Sequence, residues 1–81
     1  MTFETAIVQR LKLIKKQMNI TKEDLAKRSG ISVVTINDIL NQKTKTLNPQ
    51  TLSHLIKALN MSYTEFFNDS MFDWGNLVEE I

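Results

Sequence analysis

Four segments in the later part of this 81-residue chain begin with one local device: an apolar residue, then a capping residue, then a second apolar residue five positions after the first. The four instances are Ile20-Thr21…Leu25, Ile31-Ser32…Ile36, Leu47-Asn48…Leu52 and Met61-Ser62…Phe66. Each has the form of a hydrophobic staple around an N-cap, in which a side-chain oxygen accepts from one of the backbone N–H groups that a helix start leaves without a partner. Thr21 and Ser62 are followed at the capping-box position by Asp24 and Glu65, and Pro49 stands directly after Asn48, where a missing N–H costs nothing. Four helices therefore start near residues 22, 33, 49 and 63. Another precedes them, because Ile7, Leu11, Ile14 and Met18 recur at helical spacing between Gln9, Lys12, Lys15 and Lys16.

These starts define an all-α chain. The first helix is expected over about Glu4 to Gln17. The second runs from about Lys22 to Ser29 and stops at Gly30, which can adopt the left-handed conformation of a helix end. Only Gly30, Ile31 and Ser32 separate it from the third helix, and this is the spacing of a helix-turn-helix. The run Val33-Val34-Thr35-Ile36 is β-branched and locally prefers a strand, so capping and context must override it. Asn41 to Leu47 reads as a polar, basic loop, and further helices are expected over about Pro49 to Leu59 and Tyr63 to Phe67. Trp74, Leu77, Val78 and Ile81 could share one side of a short acidic C-terminal helix. The expected fold is a compact five-helix bundle, with a helix-turn-helix domain at 1–68 and an acidic amphipathic tail at 69–81.

Composition removes several function classes. A chain this short buries about 60% of its unfolded surface, which leaves little room for a deep pocket, so an enzyme acting on a large substrate is not expected. No cysteine is present, and His54 is the single histidine. A disulfide framework, a thiolate metal site and a multi-histidine site are thereby excluded. No apolar run exceeds Ala6-Ile7-Val8, where a membrane helix needs about twenty residues, so a soluble, cytoplasmic protein with no membrane partner and no cofactor is expected. His54 reads as a boundary side chain in the fourth helix, Asp69 and Asp73 as a solvated face before a cation site, and Phe66, Phe67 and Phe72 as core.

Charge divides the chain. Residues 1–48 carry nine Lys and Arg against four Asp and Glu, whereas residues 49–81 carry one against five. A basic half can be the footprint of nucleic acid or a solubility device. On a helical wheel of the third helix, Ile36, Ile39 and Leu40 take the core side. Val34, Asn37 and Asp38 lie opposite, with Val33 and Thr35 on the flanks. An exposed valine is common on any surface. At the start of the second helix of a helix-turn-helix it also stands where apolar groups meet thymine methyls, Asn bonds adenine and Asp accepts from cytosine.

The run Thr21-Lys-Glu-Asp-Leu-Ala-Lys-Arg-Ser-Gly-Ile-Ser-Val-Val-Thr-Ile-Asn-Asp-Ile-Leu-Asn-Gln-Lys43 is followed by Pro49, Thr51-Leu52, Ala58-Leu59-Asn60 and Glu65-Phe66-Phe67. In combination these resemble the Cro/phage-repressor-type helix-turn-helix regulators of bacteria and phages, in their short stand-alone form, over about residues 7 to 67. Gln42 differs, standing where the family usually has glycine. The resemblance implies a sequence-specific double-stranded DNA-binding regulator, a repressor, acting as a homodimer. It assigns phosphate contacts to Lys22, Asn41, Lys43 and Lys45, base contacts to Val33, Val34, Asn37 and Asp38, and either role to Thr35. Trp74, Leu77, Val78 and Ile81 are expected to meet a second copy or a protein partner. The rival expectation is an interaction protein, such as an antitoxin or antirepressor, that uses this tail first.

Overall fold

The computed structural model describes residues 1–43 and 47–78. It contains five α-helices in the expected order, α1 (Phe3–Met18), α2 (Lys22–Ser29), α3 (Val33–Leu40), α4 (Pro49–Ala58) and α5 (Tyr63–Phe67). All four stapled caps form: the side chains of Thr21, Ser32, Asn48 and Ser62 accept from the backbone N–H of Asp24, Thr35, Gln50 and Glu65. Capping boxes close reciprocally at Thr21/Asp24 and Ser62/Glu65. A further cap lies at Thr2, whose hydroxyl accepts from Thr5 N–H. Its signal was the same device, Met1-Thr2…Ala6, at the start of the chain.

The apolar stripes of these helices converge. Leu11, Leu25, Ile36, Leu55, Ile56 and Phe66 are the largest fully buried side chains, and the buried residues contributed by all five helices form a single cluster. Helix α2 packs on α3 and α4, and α1 packs on α3. Gly30 takes φ 75° and its N–H closes on Ala26 O at 2.9 Å, ending α2 so that α3 can begin three residues later.

Past α5 the expected C-terminal helix takes another form. Two single 3-10 turns, Ser70–Phe72 and Trp74–Asn76, lead to extended backbone at Leu77. Long-range anchors dictate this path. Arg10, in α1, donates through Nε to Phe66 O at 2.7 Å and through Nη2 to Glu65 O at 2.9 Å, and its Nη1 lies 3.5 Å from Asp69 Oδ2. Phe72 packs edge-on against Phe67 at 4.9 Å between ring centroids, and Phe3 stacks on Phe67 at 6.1 Å. Phe66 is fully buried, and Phe67 and Phe72 close the edge of the core above it. Val78 N–H then donates to Met1 O at 2.7 Å.

Gln42 takes φ 55° directly after α3. A left-handed conformation costs a residue with a Cβ roughly 1–2 kcal/mol. Backbone bonds from Gln42 N–H to Ile39 O at 3.0 Å and from Lys43 N–H to Asp38 O at 2.8 Å close this helix end, and Thr5 Oγ1 adds a donation to Gln42 Oε1 at 3.0 Å, an exposed contact worth less than the strain. Gln42→Gly is therefore expected to stabilise the fold by roughly 0.5–1 kcal/mol, after allowing for the greater chain entropy of glycine. Urea unfolding measures this as a raised midpoint at unchanged slope; a lowered midpoint would mean that the Thr5 contact outweighs the backbone strain.

Candidate nucleic-acid interface

Helix α3 divides by burial. Ile36, Ile39 and Leu40 are 1%, 4% and 5% exposed, whereas Val33 is 37% and Val34 69% exposed. Thr35 is exposed as well, and Asn37 and Asp38 are half-buried on the flanks of the same outward surface. A helix of eight residues cannot persist alone in water. Its three-residue apolar stripe holds it to the bundle, and its Ser32 cap leaves the first turn pointing outward. Ser32 Oγ accepts from Thr35 N–H and donates to Thr35 Oγ1 at 2.9 Å, so the Thr35 hydroxyl proton is left to point toward solvent.

Lys22 stands at the first position of α2 and reaches across the corner. Its Nζ donates to Asn37 Oδ1 at 2.6 Å, joining a residue assigned to phosphate with one assigned to bases. Asn41 is exposed just past the end of α3, where its N–H returns to Asn37 O. Lys43 is exposed next to it, and its backbone N–H closes on Asp38 O at 2.8 Å. The structure thus brings Lys22, Val33, Val34, Thr35, Asn37, Asp38, Asn41 and Lys43 to α3 and its two ends. Lys45 lies outside the described residues.

Arg10 belongs to the basic half but not to this surface. Its side chain is 11% exposed and fully engaged with α5 and Asp69. Its position three residues after Ile7 and four before Ile14 was the available sign that it sits on the inner stripe of α1. His54 is exposed. Asp69 is occupied by Arg10 and by the N–H of Met71, and no group of three metal-ligating side chains occurs among the described residues. In the tail, Trp74 and Val78 are 81% and 62% exposed and Leu77 is half-buried. Ile81 lies outside the described residues.

A fold of this kind, two short helices joined by a three-residue corner with an outward second helix, is a helix-turn-helix. The family of the Cro/C1-type HTH DNA-binding domain matches residues 10–70. The chain belongs to that family, and its domain is a DNA-binding one associated with transcription regulation. Neither the curated proteins nor the solved structures yield a match to this chain. No helix among the described residues is long and apolar enough to cross a membrane.

The capping box that starts α2 also carries the clearest pH dependence. The Asp24 carboxylate accepts from Thr21 N–H at 3.0 Å. That backbone hydrogen bond, then the Thr21 side chain, then Arg28 and Lys27, hold its pKa below the ordinary aspartate value. A depressed folded pKa contributes stability that is present above the unfolded value and lost as pH falls through the folded one. The thermal midpoint of wild type should accordingly exceed that of Asp24→Ala by a constant amount at neutral pH and converge on it in acid. A gap that persists unchanged at the acid end would show that the charge of Asp24 does not hold this cap.

Proposed function

We propose that the protein is a non-enzymatic transcriptional repressor, soluble and cytoplasmic, that needs no cofactor and inserts α3 into the major groove of double-stranded DNA as a homodimer. The observation that carries the reading is the 69% exposure of Val34 on the first turn of a helix whose other side is core. An apolar side chain there has no structural task and the chemistry to meet a thymine methyl. In this reading Val33, Val34, Asn37 and Asp38 face bases, and Thr35 faces a base or a phosphate. Lys22, Asn41, Lys43 and Lys45 face the phosphates on either side. Asp38 works by exclusion as well as attraction, since its charge penalises any base pair that offers it no donor.

The tail supports the dimer. Burying Trp74, Leu77, Val78 and Ile81 would contribute about 6–12 kcal/mol, and ordering some nine residues at about 1.5 kcal/mol each costs about 13. The two nearly cancel within one chain, and Trp74 stands 81% exposed. A second copy offers more apolar area and would set two α3 helices about 34 Å apart on one face of DNA. Because Phe72 closes the core, the working division falls after it: residues through 72 form the DNA-binding unit and the remainder the contact.

Selecting sites from random duplex DNA tests the whole reading, with an inverted repeat as the expected product. Within it, replacing the thymine under Val34 by uracil should weaken wild-type binding by about 0.8 kcal/mol, the value of one buried methyl, and leave Val34→Ala unaffected. The expected effect of Lys43→Ala is a salt dependence shallower by about 0.9 in the log–log slope. Unstructured winners, or a slope unchanged by Lys43→Ala, would count against the groove geometry.

A separate measurement addresses the tail. By sedimentation, Trp74→Ser/Val78→Ser should give a folded monomer with weakened operator binding while wild type dimerises. A wild-type monomer at high micromolar concentration would leave the tail to a different protein partner, as in an antitoxin or antirepressor.

A further inference from the structure

The contact between Lys22 and Asn37 links two elements that DNA would meet separately. The ammonium lies 2.6 Å from Asn37 Oδ1 across fifteen residues of sequence, and the contact is partly buried. A hydrogen bond with an ionised donor is the stronger kind, and it settles which way the amide points. With its oxygen turned to Lys22 and one of the two lone pairs taken by the ammonium, Asn37 has its NH2 group as the end free of that charge. An asparagine that reads adenine needs both ends of its amide, accepting from N6 and donating to N7. Here the accepting end is beside a positive charge, and an incoming adenine amino group would bring a further donor to the same oxygen. Guanine offers two acceptors, N7 and O6, and suits a lone NH2.

We propose that Lys22 is a specificity-determining positioning residue: by holding the amide oxygen of Asn37, it makes that side chain select guanine in place of adenine. The inference rests on the groove reading of α3 given above. Lys22 loses nothing as a phosphate ligand, because an ammonium has three donors and Asn37 takes one. One side chain therefore couples the position of the backbone to the choice of base.

The test is selection from random duplex DNA by wild type, Lys22→Met, Lys22→Arg and Asn37→Ala, with binding to the winning sites measured across a salt series. Wild type should recover guanine at one position per half-site. Asn37→Ala should lose the preference at that position and at no other. Lys22→Met keeps the length of the side chain and removes its donors. It should move the same position toward adenine, with a guanine-to-adenine preference changed about tenfold, and lower the salt slope by about 0.9. Lys22→Arg should restore guanine.

If Lys22→Met weakens all sequences alike and leaves the base preferences of wild type intact, Lys22 is a phosphate contact alone and the inference is overturned. It is equally overturned if wild type selects adenine at the position that Asn37→Ala abolishes. Failure of wild type to select any sequence would instead overturn the groove reading itself, and the inference with it.

Discussion

Burial of one side of α3 is the constraint on which the rest of the molecule depends. Its sequence begins with four β-branched residues and extends for only two turns, so its local preferences oppose the conformation it holds. Ile36, Ile39 and Leu40 reverse that balance by entering the cluster formed with Leu11, Leu25 and Leu55. Everything that could meet DNA follows from the reversal. The same rotation that turns three apolar side chains inward turns Val34 outward, and the Ser32 cap fixes where the helix starts. Were the core less complete, the segment would revert toward extended backbone and its outward surface would cease to exist.

Positive charge is used in two distinct ways. Arg10 has turned inward, satisfying the last carbonyls of α5 and pairing with Asp69, and so ties the first helix to the last. Its rigid planar fork presents donors to two carbonyls and a carboxylate at once, where a lysine offers a point charge on a flexible stem. Lys22, at the start of α2, bonds Asn37 within α3, and Lys43 stands exposed past the end of α3. Among the described residues no polar or charged residue is buried, and no buried side-chain nitrogen or oxygen lacks a partner.

Most of this architecture was legible in the sequence because helix starts are encoded locally. A cap, its staple and its capping box lie within six residues, so Thr21 with Asp24 and Ser62 with Glu65 could be read without knowledge of the fold. The division of α3 into inner and outer surfaces was legible for the same reason, since it follows from spacing alone. The path after α5 was not. Its two tight turns answer to Arg10, Phe3 and Met1, more than fifty residues away, and the local cap of Asp69 on Met71 N–H sets only where the first of them begins. The bond from Lys22 to Asn37 was hidden too, because each residue had a separate reason to be singled out and only the three-residue corner brings them together.

The outward surface of α3 makes almost no contribution to holding the protein together, and this has an evolutionary consequence. Val33 and Val34 lie outside the core cluster, and Thr35 bonds only to its own cap. Substitutions at these positions are largely exempt from the penalty that most core changes incur. A lineage carrying this chain can change this outward surface one side chain at a time without passing through unfolded intermediates. Asn37 is the exception. Bonded to Lys22, it is coupled to a second site, so a substitution at either residue alters the surroundings of the other.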